Sequence, residues 1–184
     1  MYIGRLFYPV LSLGYGKRIG IWFCGCNRDC MGCSSPELKN QTSENNISIE
    51  AIFNILEDII KEADGVTISG GEPFEQSKDL RKLIEWLRNK GLDDILVYSG
   101  YTLNELKEKE DEDVWYCLNN IAALIDGPYE QLLDDGKGIR GSSNQNVYIY
   151  KYYDRHKRIL TVDRKQQCIK LENKLIFIGL PKEK

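Results

Sequence analysis

Cys26, Cys30 and Cys33 stand at C-x3-C-x2-C spacing within Ile21-Trp-Phe-Cys-Gly-Cys-Asn-Arg-Asp-Cys-Met-Gly-Cys-Ser34. Three thiolates on one tight loop can hold three corners of a four-iron four-sulfur cluster and leave one iron open to a small ligand. Thiolates also suit zinc, but structural zinc sites use paired C-x2-C knuckles well apart in sequence. No second pair exists here: Cys117 and Cys168 stand alone in apolar or strand-like settings. Four of the six cysteines fall within ten residues, which points to a metal group and away from a disulfide framework.

The loop must be carried by something, and the flanking sequence supplies it. Ile19 to Phe23 is a short β-prone run that leads directly into the cysteines. Ser48 is a plausible N-cap for a helix in which Ile52, Phe53, Ile55, Leu56, Ile59 and Ile60 recur at helical spacing until Gly65. Val66-Thr67-Ile68 then runs into Ser69-Gly-Gly-Glu-Pro73, followed by a helix with Leu80, Leu83, Ile84 and Leu87, ended by Gly91. Ile95 to Tyr98 feeds Ser99-Gly-Tyr-Thr102 and a charged helix around Leu103 to Glu110, and Ile121 to Ile125 feeds Asp126-Gly-Pro-Tyr129. Strands alternating with helices imply a parallel sheet with right-handed crossovers, either doubly wound or part of a barrel. In both arrangements the loops that follow the strands gather on one face, where α/β enzymes bind ligands. Beyond Asn146 the pattern changes to short strands at Val147 to Tyr150, Arg158 to Val162, Cys168 to Leu171 and Leu175 to Ile178, with Asn173-Lys174 as a hairpin turn. This tail reads as an antiparallel addition.

Length and composition are those of one globular enzyme domain. The chain has 184 residues, with 25 basic against 28 acidic side chains and a net charge of −3. That balance gives no sign of nucleic-acid binding. The first ten residues lack the features of a signal peptide and no run approaches membrane-spanning length. A soluble, intracellular protein in reducing cytoplasm is the expectation.

The cysteine motif resembles the cluster motif of the radical S-adenosylmethionine superfamily, and Ser69-Gly-Gly-Glu-Pro73 is similar to its second motif, which contacts the methionine amino group. Tyr98-Ser-Gly-Tyr-Thr102, Leu124-Ile-Asp-Gly-Pro-Tyr129, Arg140-Gly-Ser-Ser-Asn-Gln145 and Phe7-Tyr-Pro-Val10 resemble segments of the branch that activates anaerobic ribonucleotide reductase, as does Gly32 before the last cysteine. The resemblance implies an α/β fold built as a partial (incomplete) TIM-type barrel of parallel strands and helices, with a short antiparallel C-terminal extension. Residues 1–150 would form the core domain and 151–184 a β extension packed on it. It implies an oxidoreductase of the glycyl-radical activating type, with one four-iron four-sulfur cluster and S-adenosylmethionine as cofactors. Cys26, Cys30 and Cys33 would hold the cluster, whose open iron chelates S-adenosylmethionine. Gly32, Cys33 and Ser34 would line the cofactor from one side, and Ser69, Gly70, Gly71, Glu72 and Pro73 from the other. The implied reaction is one-electron cleavage to methionine and a 5′-deoxyadenosyl radical that takes a hydrogen atom from a glycine of a large partner. The electron donor would be a flavodoxin or ferredoxin, and no nucleic acid or membrane is involved. A radical enzyme of the same build acting on another protein or a small molecule is the alternative, and a non-catalytic metal-binding module is the remote one.

Ser99, Gly100, Asp126, Arg140, Ser142, Asn144 and Gln145 are candidates for a substrate or partner loop, although Asp126 is as readily a cap or turn former and the Arg140 to Gln145 stretch a well-made turn. Cys24 is expected to be a buried or semi-buried thiol, and the resemblance gives its position no cluster role. His156 is assigned to a solvated loop, Glu105 to Asp113 to a solvated helix and turn, and Trp22, Trp86 and Trp115 to the core or its border. The chain departs from the branch twice. After Cys33 it has Ser34-Ser35-Pro36 where the family commonly has an aromatic residue and asparagine, and its tail beyond about residue 150 is longer than an activator needs.

Overall fold

A computed structural model describes residues 1–172 and 174–181. Its main sheet runs β1 (Ile3–Val10), β2 (Arg18–Phe23), β3 (Gly65–Gly70), β4 (Ile95–Tyr98), β5 (Ala123–Asp126) and β6 (Asn146–Ile149), in that spatial order. The four inner strands are parallel, and β1 and β6 close the two ends antiparallel. Every residue of β2 and β5 is buried, as expected of inner strands covered on both faces.

Four helices follow the strands: α1 (Ile49–Glu57), α2 (Ser77–Asn89), α3 (Leu103–Glu108) and α4 (Glu112–Asn120). Their apolar stripes enter one core with Ile19, Ile21, Phe23, Val66, Ile68, Ile95, Val97 and Leu124 of the strands. Parallel strands lying side by side in chain order, with all their helices in one layer, are singly wound, since a doubly wound sheet needs a reversal of strand order. α2 shows why these segments are helical: Leu80, Leu83, Ile84 and Leu87 are fully buried on one stripe. The Ser48 side chain accepts from the Ala51 amide to start α1.

The sheet's other face is covered by the tail and by the segment around Ile139. Trp22, Leu13 and Val10 pack with Ile178 of the hairpin β7 (Gln167–Leu171) and β8 (Lys174–Ile178), while Leu96, Ala123 and Ile125 pack with Ile139. Leu171 pairs with Lys174 across the hairpin, and Asn173, half of the expected turn, lies outside the described residues. Among the described residues no helix is long and apolar enough to cross a membrane.

Several expectations are corrected. α1 ends at Glu57 and not near Gly65; a short turn over Ile60–Glu62 keeps Ile60 buried while the Tyr8 hydroxyl donates to the Glu62 carbonyl. The acidic run hides the start of α4. Glu110 takes a positive φ of 50° that breaks the chain from α3, and Asp111 then caps α4 by accepting from the Asp113 and Val114 amides. Arg158 to Val162 is not a strand: the chain turns there through α5 (Tyr153–His156) and a tight turn at Lys157–Ile159. Trp115 is exposed at 41%, while Trp22 is buried and Trp86 stacks on Phe53 at 4.6 Å.

His156 is not solvated. It is fully buried, its Nε2 3.0 Å from Asp94 Oδ1, which also receives the fully buried Arg18 guanidinium at 3.1 Å. Arg18 donates in addition to Thr67 Oγ1 and to the carbonyls of Val66 and Asp94. Burial pushes the Asp94 carboxyl up, but His156 and Arg18 more than offset this and hold it below its ordinary value. This network pins α5, and with it the tail, to the N-terminal ends of the strands. Asp94→Ala should lower stability by about 3–5 kcal/mol, because it leaves the buried Arg18 charge without its partner. Urea unfolding checks this, and a loss under about 1 kcal/mol, the range of exposed pairs, would show that the network is not an anchor.

Candidate functional site

The loops after β2, β3, β4 and β5 meet at the C-terminal ends of the strands around one cavity. Cys26, Cys30, Gly32, Cys33 and Ser34 border it from the first loop; Ser69, Gly70, Gly71 and Glu72 from the second; Tyr98, Ser99 and Gly100 from the third; Gly127 and Tyr129 from the fourth. Two motifs far apart in the chain are thus brought face to face.

What joins them is main chain. β2 and β3 stay in register to their ends, with Phe23 opposite Gly70. Beyond the strands the Gly71 amide donates to the Phe23 carbonyl at 2.7 Å and the Glu72 amide to the Gly25 carbonyl at 2.7 Å. A Cβ on Gly70 would overlap the Phe23 backbone, and one on Gly71 the Gly25 carbonyl. The glycine pair is therefore required first by the neighbouring strand. On its other side the cysteine loop is tied by the Gly25 and Cys26 amides to the carbonyls of Leu38 and Lys39, and by Gln76, which donates to the Cys24 carbonyl at 2.8 Å. Gln76 escaped notice in the sequence because an isolated glutamine carries no signal.

Glu72 is the electrostatic centre of this arrangement. It is fully buried; Oε1 accepts from Ser99 Oγ and the Phe74 amide, each at 3.0 Å, and Oε2 from the Gly100 amide at 2.6 Å. Of about four acceptor positions on a carboxylate, three are engaged by the protein. Glu72 thus fastens the third loop to the second, while Pro73 starts the short turn Pro73–Gln76. Burial pushes the carboxyl up to about 7, only partly offset by the hydrogen bonds from Phe74, Gly100 and Ser99. Arg28, beside the cysteines, lies over the Tyr101 ring at 4.4 Å and pairs with Glu105 at 2.7 Å.

The other candidates divide. Ser99, Gly100 and Gln145 border the cavity. Asp126, Arg140, Ser142 and Asn144 do not. Asp126 is buried and accepts from the Leu103 amide at 2.6 Å and from Asn146, as a cap and turn former. Arg140 pairs with Asp135, Ser142 Oγ accepts from the Glu130 amide, and Asn144 donates to the Pro128 carbonyl. The Arg140 to Gln145 stretch is therefore a latch on the fourth loop. Cys24 points elsewhere: fully buried, its sulfur receives Asn45 Nδ2 at 3.0 Å. Tyr129, Asp134 and Arg164 also border the cavity and were absent from the sequence-based set; only the fold brings Arg164 there.

Among the described residues, no group of three or more His, Cys, Asp or Glu side chains is gathered to grip a single metal ion. A four-iron four-sulfur group spreads its thiolate ligands over separate corners, and three thiols bordering one cavity, roofed by glycine main chain, suit it. Burial pushes the Cys26 thiol up, and a hydrogen bond with the Arg28 backbone only partly offsets this; binding a metal there releases a proton. Residues 12–148 match the family model described as "4Fe-4S single cluster domain". The anaerobic ribonucleoside-triphosphate reductase-activating protein of Escherichia coli (strain K12) is 33% identical over 150 residues, covering 77% of this chain and 95% of that protein. This chain belongs to that family of activating proteins. The protein of the same name from Haemophilus influenzae is 29% identical over 153 residues, covering 79% and 96% of the two chains, and that from Enterobacteria phage T4 is 26% identical over 139 residues, covering 73% and 85%. The family's cofactors are a four-iron four-sulfur cluster and S-adenosylmethionine. In this member of the activating-protein family, β7 and β8 lie outside the matched residues.

The raised Glu72 carboxyl makes a signed prediction. Below pH 4.5 both folded and unfolded chains keep the proton; as pH rises to about 7 the unfolded chain loses it first, so the folded state loses stability across that interval and no more above it. The loss should be about 3 kcal/mol. Urea unfolding of cluster-free protein across this range should show it, and Glu72→Gln should flatten the profile; a variant with the wild-type slope would refute the assignment.

Proposed function

We propose that the cavity formed by the cysteine loop and the Ser69 to Pro73 loop is where this enzyme carries out radical S-adenosylmethionine chemistry, and that its target is a glycine of an anaerobic ribonucleotide reductase. One observation carries the reading: Cys26, Cys30 and Cys33 border the same cavity as Gly70, Gly71 and Glu72, and the two loops are hydrogen-bonded main chain to main chain. When bound, the cluster and S-adenosylmethionine supply a one-electron cleavage to methionine and a 5′-deoxyadenosyl radical able to take a hydrogen atom from glycine. The protein's part is position, electrostatics and exclusion of water.

Cys26, Cys30 and Cys33 hold the cluster. Gly32, with φ at +73°, turns the loop so that Cys33 and Ser34 face the cavity. Gly70 and Gly71 present bare main chain to the ligand from β3, with Ser69 and Pro73 at either end of that loop. Glu72 has one acceptor position left beyond those filled by Ser99, Phe74 and Gly100, enough for one hydrogen bond from an ammonium group. Its larger role is to hold Ser99 and Gly100 at the cavity wall. The singly wound sheet curls as an incomplete barrel, with residues 1–150 as the radical core and 151–184 as an extension on it. The electron comes from a flavodoxin or ferredoxin in the cytoplasm.

Anaerobic reconstitution should give a brown protein with about four irons per chain. Cys26→Ala, Cys30→Ala and Cys33→Ala should each bring iron close to zero and abolish release of 5′-deoxyadenosine under reduction, whereas Cys24→Ala should keep both. Electron paramagnetic resonance after mixing with the reductase should show a glycyl radical. A colourless, zinc-loaded protein would overturn the reading.

A further inference from the structure

Next to the cysteine cavity lies a larger cleft, about 760 Å³, between the sheet and the C-terminal hairpin, well within the size range of built ligand sites. The two spaces share Ser34, Ser69, Gly70, Tyr98, Leu180 and Pro181 as walls. A chain lying in the cleft therefore reaches the cysteine loop directly.

The walls are of an unusual kind. On one side stand the consecutive residues Gly4 to Phe7 of β1, on the other the consecutive residues Leu175 to Pro181 from β8 onward. Side chains alternate along a strand, so an unbroken run of lining residues means that main chain borders the space. Among the described residues β1 pairs with β2 and β8 with β7, each on one edge only. Unpaired strand edges recognise another extended main chain. Leu175 and Phe177, both lining the cleft, are 62% and 59% exposed, an apolar surface left open among the described residues.

The wall is anchored. Gln167 donates to the Pro9 carbonyl and accepts from the Leu11 amide, and Ser12 Oγ donates to the Ile178 carbonyl at 2.8 Å. At the cavity end the buried Arg164 pairs with Asp134 at 2.8 Å and donates to the carbonyls of Arg140, Gly141 and Pro181. The hairpin side of the cleft, with Arg164, Gln167 and Leu175 to Pro181, lies beyond the residues matched by the family model, while Ser12, Asp134, Arg140 and Gly141, which hold it, lie within them.

We propose that the cleft is a docking groove for the protein target, in which the glycine-bearing segment enters as an extended peptide, hydrogen-bonded to the edges of β1 and β8 and packed on Leu175 and Phe177. The proposal rests on the functional reading above and names how that target is recognised. Hydrogen–deuterium exchange of the full chain, with and without the reductase, should show protection in residues 4–7 and 175–181. Binding of a synthetic peptide spanning the reductase's radical glycine should weaken about tenfold in Phe177→Glu or Leu175→Glu, with thermal unfolding unchanged because both side chains are exposed. Leu132→Glu, exposed at 98% on the far side of the cysteine loop, should bind as wild type does. Protection confined to the Met31 and Leu132 side, or undiminished peptide binding by both hairpin variants while the wild type still forms the glycyl radical, would overturn the docking proposal alone. A wild type that cleaves S-adenosylmethionine but neither binds nor activates the reductase would overturn the functional reading and this proposal with it.

Discussion

The site depends on the contact between two backbones at the ends of β2 and β3. Gly70 and Gly71 lie so close to Phe23 and Gly25 that no side chain fits between them, and two amides close the gap at 2.7 Å each. This contact fixes the distance between the cysteine loop and the loop opposite it. From there the constraint passes sideways. Glu72, delivered to a buried position by the glycine pair, accepts from Ser99 and Gly100 and so sets the loop after β4. Asp126 does the same one strand further on, accepting from the start of α3 and from β6. A row of strand ends is thus stitched together by carboxylates that accept from backbone amides, which orders loops whose own sequences are rich in glycine.

Buried charge is handled differently at the two ends of the sheet. At the N-terminal ends of the strands Asp94 lies between Arg18 and His156, and its carboxyl is held below the ordinary range. At the C-terminal ends Glu72 has hydrogen bonds but, among the described residues, no paired cation, and its carboxyl rises. The first arrangement suits an anchor that has to hold the tail in one place. The second leaves a carboxylate in the cavity that a positively charged group would stabilise, which is the property wanted opposite a ligand and not in a purely structural core.

Much of this was legible in the sequence. The inner strands and α2 announce themselves by buried runs and a stripe of three leucines and an isoleucine, and the cysteine spacing marks its own loop. What was hidden depends on partners distant in the chain. His156 looked solvated among lysines and arginines, yet its partner Asp94 is 62 residues away. β1 breaks alternation because its pairing with β2 shifts register twice. Asp126 and the Arg140 to Gln145 stretch show the limit most plainly: the polar residues that bind substrates also cap helices and latch turns, and only geometry separates the two uses.

The two departures from the family pattern come together in space. Ser34 lies where the cysteine cavity and the peptide-sized cleft join, and Ser35 lines the cleft beside it. Pro36 then starts a tight turn that buries Leu38 against the Cys24 and Trp22 cluster, which also receives Ile178 of the added hairpin. Ser34 thus belongs to the walls of both spaces, and the turn that follows it ties the cysteine loop to the cluster that holds the hairpin.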